Sequence, residues 1–413
     1  MTELSSIERV FSITNQNGIK EVCIFGCVFK ISKKFIFNLK YKHLPIEQNK
    51  IVFVNFKGGG YGCNPKYIAE EIIRQNLPYK MVWLVKDVEN AKLSMDIPSN
   101  IKLVPFRSAA ALKELATAKI WIDNQRKIYH VRRGLNKKEG QYYIQTWHGS
   151  LGIKKVGAEA NTPNTEDSWL PFAIEDSKMT DYILSNSTFD DQVFEKNFWG
   201  YGNIIKLGHP RNDIFFKDNT LIKDRIYKKY NLDKDTKVLL YVPSFRDDYR
   251  LYCYNLEYKN ILKAVEKRFG GNWVLMIRLH PNLIKYTECL IPPKDNIINV
   301  TEYPDIQEIL AISDIAITDY SSCIFDFMLS GKPGFLFAND IEDFDKDRGF
   351  YYPLESTPFP LAKCNDEMVN NIKNFDLELY QKNVKEFLQS KGCMEDGLAS
   401  QRVVSLIQEL VNK

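Results

Sequence analysis

The stretch DIAITDYSSCIFDFMLSGKPGFLF, residues 314–337, reads as strand, polar turn, helix and strand. DIAIT (314–318) and PGFLF (333–337) are short apolar runs suited to strands, DYSS (319–322) ends the first of them, and CIFDFMLSGKP carries a helix between. A strand that returns to its sheet through a helix gains a parallel neighbour, so the stretch predicts a βαβ unit and an α/β fold. The same alternation continues outward. KVLLYV (237–242), WVLMIRL (273–279) and NIINV (296–300) complete one series of strands. An earlier series holds IVFVNF (51–56), YKMVWLVK (79–86), KIWID (119–123), YYIQTW (142–147), DYILSN (181–186) and NIIKLG (203–208), with helices expected near 65–75 and 108–117. Two doubly wound, Rossmann-like domains follow, 1–210 and 211–395, joined near 209–236, with an amphipathic helix in 396–413 packing back on the first.

Composition suits this architecture: 413 residues with 44% hydrophobic and 26% charged side chains supply two ordinary globular cores. No run of about 18 uncharged apolar residues occurs, and MTELSSIERV lacks a basic stretch followed by an apolar one, so neither membrane spanning nor secretion is expected. Eight cysteines lie scattered without CxxC spacing and read as reduced thiols of a cytoplasmic protein. The net charge of +4 is small, but 126–157 holds eight Lys/Arg (126, 127, 132, 133, 137, 138, 154, 155) against Glu139 alone. Such a surplus suits an anionic partner; a plain solvated surface is the competing reading. KISKKFIFNLKYKH (30–43) mixes lysines with aromatics as a peripheral membrane patch does, but its period is not cleanly helical, so an exposed loop or basic strand serves equally well.

In open parallel sheets ligands bind beyond the carboxyl ends of strands, and those junctions are distinctive here. LLYV leads into PSFRDD (243–248), LMIRL into HPN (280–282), and IAIT into DYSS. Ser321 and Ser322 open a helix, where unpaired N–H groups suit a phosphate; ordinary N-capping is the plainer role. Arg278 and His280 flank Leu279, so strand alternation sends both to one face, where they suit a phosphate. Arg246 offers a fork of donors, and Asp319 is placed to orient a ribose or a neighbouring donor. His148 ends a strand of the first domain, with Gly149 and Gly152 allowing close backbone approach, and a neutral imidazole there can take a proton from an attacking hydroxyl. GGGYG (58–62) fits neither dinucleotide nor P-loop patterns and suggests a flexible loop at the cleft. Acidic DxD pairs at 233/235, 343/345 and 345/347 sit in loop-like or helical contexts, so no metal site is expected.

Read together, IVFVNFKGGGYGCNPKYIAEE, QTWHGSLGIKKVG, LGHPRNDIFF, LLYVPSFRDD, IRLHPN and DIQEILAISDIAITDYSSCIFDFMLSGKPGFLFANDIEDFDKDRGFYY resemble the CDP-glycerol glycerophosphotransferase family, polymerases and primases of teichoic acid and related capsule polymers. The resemblance covers roughly 50–390. It implies a GT-B architecture, two Rossmann-like domains facing a cleft, with a CDP-polyol held by the second. It implies His148 as general base and His280 on the donor diphosphate. It also puts Asp319, Ser321 and Ser322 in the donor site, Arg211, Asp213, Ser244 and Arg246 along the cleft, and Arg348 and Gly349 at the donor end. The sequence departs from the family where SLGIKK follows WHG in place of the more usual TPLKK, which bears on acceptor positioning.

The implied reaction moves a polyol phosphate, glycerol phosphate foremost, from CDP-glycerol or CDP-ribitol to a hydroxyl on a lipid-linked or glycan acceptor in teichoic acid-like or capsular polymer synthesis, releasing CMP. No further cofactor is required. The protein is then cytoplasmic, with the inner face of the bacterial membrane as a peripheral contact. A GT-B glycosyltransferase using a nucleotide sugar is the alternative enzyme. A nucleic-acid-binding module fits poorly, because overall charge is near neutral and the polar clusters sit at strand ends.

Overall fold

The computed structural model describes residues 11–413 apart from 17, 18, 26, 161–168 and 247. MTELSSIERV and Asp247 of the PSFRDD turn therefore lie outside the described residues.

An antiparallel sheet of β1 (Phe11–Gln16), β2 (Ile19–Ile24) and β3 (Cys27–Ser32) comes first, followed by a helix over Lys33–Tyr41. The first parallel sheet holds β4 (Glu47–Val54), β5 (Lys80–Val85), β6 (Lys102–Pro105), β7 (Ala118–Asp123), β8 (Tyr142–Gln145), β9 (Tyr182–Ser185) and β10 (Asn203–Lys206), in the order β10-β9-β8-β7-β4-β5-β6. The second holds β11 (Lys237–Val242), β12 (Trp273–Ile277), β13 (Ile297–Asn299), β14 (Ile315–Thr318), β15 (Gly334–Phe337) and β16 (Leu361–Ala362), in the order β13-β12-β11-β14-β15-β16. These are two Rossmann-like sheets in the GT-B arrangement. The opening stretch forms β14, a helix over Cys323–Phe327 and β15, and the two strands pair in parallel.

Central strands such as Ile51–Val54 and Val238–Val242 are buried, as expected where helices cover both faces of a sheet. In each sheet the winding reverses beside the first strand, between β4 and β7 and between β11 and β14. Ligand crevices of doubly wound sheets open at such reversals. The segments leaving these four strands begin at Asn55, Asn124, Pro243 and Asp319. The last helix, Ala399–Val411, buries Val403, Val404, Ile407 and Leu410 in the core of the first sheet.

Two local expectations are corrected. The 30–43 stretch is neither loop nor continuous strand: its first residues finish β3, and 33–41 is helical, capped by Ser32 Oγ on the Phe35 N–H at 3.0 Å. The glycine-rich 58–62 segment is not loose. The Gly60 carbonyl accepts from Asn55 Nδ2 at 3.2 Å and Trp83 Nε1 at 3.1 Å, and Tyr61 packs on the Trp83 ring.

Candidate active site

β8 delivers the WHG turn. After Gln145, the Thr146 N–H donates to the Asp123 carbonyl at 2.9 Å and the Trp147 N–H to Gln145 Oε1 at 3.0 Å. Asn64 Nδ2 binds the carbonyls of Thr146 and Trp147 at 3.0 and 3.1 Å. Trp147 and Leu151 both have φ of +52°, and Phe56 and Lys57 nearby have +43° and +55°. Non-glycine residues in this left-handed region cost on the order of 1 kcal/mol or more each, and they gather where surrounding structure imposes them.

His148 is half-buried between the rings of Phe56 and Trp147. Its Nδ1 lies 2.6 Å from the Asn124 carbonyl oxygen. A carbonyl only accepts, so Nδ1 carries the proton and Nε2 presents a lone pair. Asn124 is itself fixed: its side chain accepts from the Phe56 N–H at 2.8 Å and donates to Asn55 Oδ1 at 2.7 Å, across the β4–β7 reversal. Burial pulls the imidazole down to about 4, and the positive charges of Arg211, Lys154 and Lys57 add to the effect against the opposing hydrogen bond to Asn124. The ring is therefore neutral at pH 7.

Beyond His148 the chain is shared between the two lobes. Leu151 and Ile153 enter the core of the second sheet. The Leu151 N–H donates to Asp190 Oδ1 at 3.0 Å, and the Leu151 carbonyl accepts from the Tyr352 hydroxyl. Lys155 N–H to Gly349 O at 3.0 Å, Tyr351 N–H to Ile153 O at 2.7 Å and a bridge between Lys154 and Phe350 continue the seam. A Cβ on Gly149 would stand 3.0 Å from Ser322 Oγ, and one on Gly152 would stand 3.3 Å from Ser322 Cβ. Glycine at both positions lets the WHG turn lie directly against the DYSS turn.

On the second lobe, the expected residues divide. Ser321 and Ser322 are half-buried at the β14 exit, and the Ser322 side chain caps no helix N–H. His280 is exposed, stacks on Phe245 at 5.3 Å, and accepts the Asn282 N–H on Nδ1 at 3.2 Å, which puts its proton on Nε2. Arg348 is half-buried beside the buried Gly349. Ser244 gives its N–H to Asp319 at 2.8 Å, while its buried Oγ has no partner among the described residues.

Other expected contacts are internal. Arg246 is buried with its fork on Asp340 and Asp319 at 2.7–2.9 Å, so it braces the site instead of offering donors to a ligand, and Asp319 is held in turn by Arg246 and Ser244. Arg211 pairs with Asp326 at 2.9 and 3.1 Å and joins the lobes. Asp213 does not line the cleft: its carboxylate accepts the N–H groups of Ala399 and Ser400 at 2.9 and 2.8 Å, anchoring the start of the last helix. Arg278 has left the strand and donates to the carbonyls of Val300 and Tyr303, away from a shared strand face with His280.

The family model for CDP-glycerol:poly(glycerophosphate) glycerophosphotransferase matches residues 36–409. The chain belongs to that family. Among its relatives, the teichoic acid poly(glycerol phosphate) polymerase of Staphylococcus epidermidis is 31% identical across 92% of this chain and 53% of its own length. The polymerase of the same description from Bacillus subtilis is 31% identical across 88% of this chain and 49% of its own. The chain thus spans about half the length of these curated relatives. The solved structure of the wall teichoic acid polymerase TagF superposes with a TM-score of 0.78 and 30% identity, covering 92% of this chain and 93% of that one.

The candidate site contains groups that the strand-end pattern did not single out. Asn124 follows KIWID directly, so the strand-end rule that selected the DYSS turn points to it as well. In the sequence Lys154 is one member of a basic run, with nothing local to single it out. Half of that run is structural: Arg126 donates to Ser177 and to the Asn197 carbonyl, Lys127 pairs with Asp123, Lys137 with Asp181, and Lys138 binds the Leu44 carbonyl. Among the described residues no cluster of three or more His, Cys, Asp or Glu is placed to hold a metal ion.

Proposed function

We propose that this glycerophosphotransferase moves a polyol phosphate from a CDP-polyol, CDP-glycerol foremost and CDP-ribitol as its competitor, to a hydroxyl of a lipid-linked or glycan acceptor in teichoic acid-like polymer synthesis. The observation that carries the reading is the seam between the lobes. A neutral imidazole, anchored through Nδ1 to Asn124, is followed directly by a glycine in contact with Ser322 of the opposite strand end. In this reading His148 Nε2 takes the acceptor proton as the oxygen attacks the β-phosphorus in line and CMP leaves. His280 donates from Nε2 to the diphosphate, and Ser321, Ser322 and Arg348 meet its other oxygens. Arg246, Asp319 and Asp340 keep that wall rigid, so the donors need no rearrangement as charge develops.

The acceptor lobe also carries a surface suited to an anionic bilayer. Phe25 is 82% and Leu39 74% exposed, with Val28, Phe35 and Ile36 beside them in sequence, and 25–43 contains five lysines and no acid. Apolar side chains among lysines favour the interface of an anionic membrane, the setting of a lipid-linked acceptor. Among the described residues no helix is long and apolar enough to cross a membrane.

The test is incubation with CDP-glycerol, CDP-ribitol and UDP-sugars, reading CMP against UDP release, together with His148→Ala. We expect CMP from a CDP-polyol, and a loss of about 10²–10⁴-fold in turnover for the variant with donor binding retained. UDP release instead would favour a sugar transferase. Wild-type turnover in His148→Ala would remove the histidine from the chemistry.

A further inference from the structure

We infer that Lys154 is the ammonium group that meets the phosphoryl group in transit, a catalytic contact that neither the strand-end pattern nor the DYSS turn supplies. This rests on the transfer reading above. Placement comes first. The backbone on either side of Lys154 is pinned: the Ile153 carbonyl accepts from the Tyr351 N–H at 2.7 Å, the Lys155 N–H donates to Gly349 O at 3.0 Å, and Lys154 itself bridges Phe350. Leu151 and Ile153 are buried in the second core, whereas Lys154 is half-buried. Its chain position lies just past the Gly149–Ser322 and Gly152–Ser322 contacts, so one short loop carries His148 before the seam and Lys154 after it.

The electrostatic surroundings point the same way. Lys127 and Lys137 of the basic run each have a carboxylate, and Lys138 has carbonyls. Lys154 has no ion-pair partner among the described residues. Among the described residues, the charged and titratable groups whose fields act on it include Arg348 beyond the helix Ile341–Asp347, Arg246 after β11, Asp319 after β14, Cys323 at the start of the next helix, and His148 on its own loop. Asp319 is already held by Arg246 and the Ser244 N–H. Lys154 thus stands where the nearest carboxylate, Asp319, is engaged elsewhere, and it also acts on His148. It is the cation common to the base and to the donor wall. The glycerophosphoryl group in transit, a monoanionic diester that gains negative charge as the hydroxyl attacks, is the partner such an ammonium suits.

In the step itself, the bond from the acceptor oxygen to the β-phosphorus forms while the bond to the bridging oxygen breaks. The electron pair leaves on CMP, and the hydroxyl proton goes to His148 Nε2. Lys154 keeps its proton throughout and balances charge on the non-bridging oxygens, so it must be an ammonium. Burial, helped by Arg348 and Arg246 against the pull of Asp319, lowers it to about 8. Activity that depends on the protonated form is full below that value and falls as pH rises through it.

The experiment compares wild type, Lys154→Gln and Lys154→Arg in CMP release from CDP-glycerol, with kcat and KM taken separately between about pH 6 and 10 and CDP-glycerol affinity measured by calorimetry. We expect Lys154→Gln to lose about 100-fold or more in kcat with a smaller change in affinity. We expect Lys154→Arg to keep part of kcat and to lose the alkaline fall near pH 8, because a guanidinium does not deprotonate there. Wild-type kcat in Lys154→Gln, or an alkaline fall that stays in place in Lys154→Arg, overturns the assignment of Lys154 while leaving the transfer reading intact. A wild-type protein that releases no CMP from either CDP-polyol overturns the transfer reading, and the role of Lys154 with it.

Discussion

At the residue scale the site rests on the difference between an imidazole in water and one closed off by neighbours. A solvated histidine titrates near 6.5. Burial, ahead of the nearby cations, holds His148 at about 4. In the proposed transfer the base works unprotonated, so activity is expected above that value and is lost as pH falls through it. The expected kcat/KM profile for CMP release is therefore level from about pH 7 down to about pH 5 and bends only below; a bend near 6.5 would mean a solvated ring and contradict the packing of Phe56 and Trp147 around it. The positions of His148, Ser321 and Ser322 were legible in sequence, because apolar runs locate strand ends and strand ends locate ligand crevices. What Arg246 and Asp213 do was not. Their partners Asp319, Asp340, Ala399 and Ser400 lie 73, 94, 186 and 187 residues away, and a long-range pairing leaves no local pattern.

At the element scale the strands were the most legible part, since each buried parallel strand is a near-continuous apolar run. The helix Lys33–Tyr41 was the least legible. It buries Phe37 and Tyr41 against the first domain while Phe35, Ile36 and Leu39 remain exposed, so apolar residues occur on both sides and the one-face signal cancels. That same property makes the element testable. Phe35 and Leu39 have little to lose on replacement in the folded chain, being 60% and 74% exposed, but inserting each into a bilayer interface is worth about 1.5–3 kcal/mol at full burial. Phe35→Ser with Leu39→Ser should weaken co-sedimentation with phosphatidylglycerol vesicles by about tenfold or more, with unchanged thermal unfolding and unchanged turnover on a water-soluble acceptor. Equal sedimentation of variant and wild type would assign those apolar side chains no lipid role.

At the scale of the whole molecule, the question is what makes two separately cored lobes present one site. Two buried polar clusters cross between them. Arg211 ties Asp326 to Ser150, and Lys66, from the helix Cys63–Arg74, reaches Asp305 at 3.0 Å and Glu308 at 2.5 Å beside the helix Ile306–Ile312. The Tyr67 hydroxyl also donates to Asp305 at 3.0 Å, and Arg225 reaches Glu308 at 2.7 Å. A solvated pair such as Lys92–Glu89 contributes little, whereas removing the cation from a buried cluster leaves carboxylates with too little compensation, at about 3–5 kcal/mol. Lys66→Met keeps the volume and removes the charge. Each lobe retains its own core in that variant, so the loss falls on the coupling between them. We expect urea unfolding, followed by tryptophan fluorescence and circular dichroism together, to begin at lower denaturant and to separate into two transitions. On the proposed transfer, turnover should fall more than CDP-glycerol affinity, because the second lobe would keep its donor contacts while His148 loses its fixed approach to them. A single transition at the wild-type midpoint would show that the apolar insertion of Leu151 and Ile153 is enough to hold the lobes in register, and that the Lys66 cluster sets specificity of approach without contributing net stability.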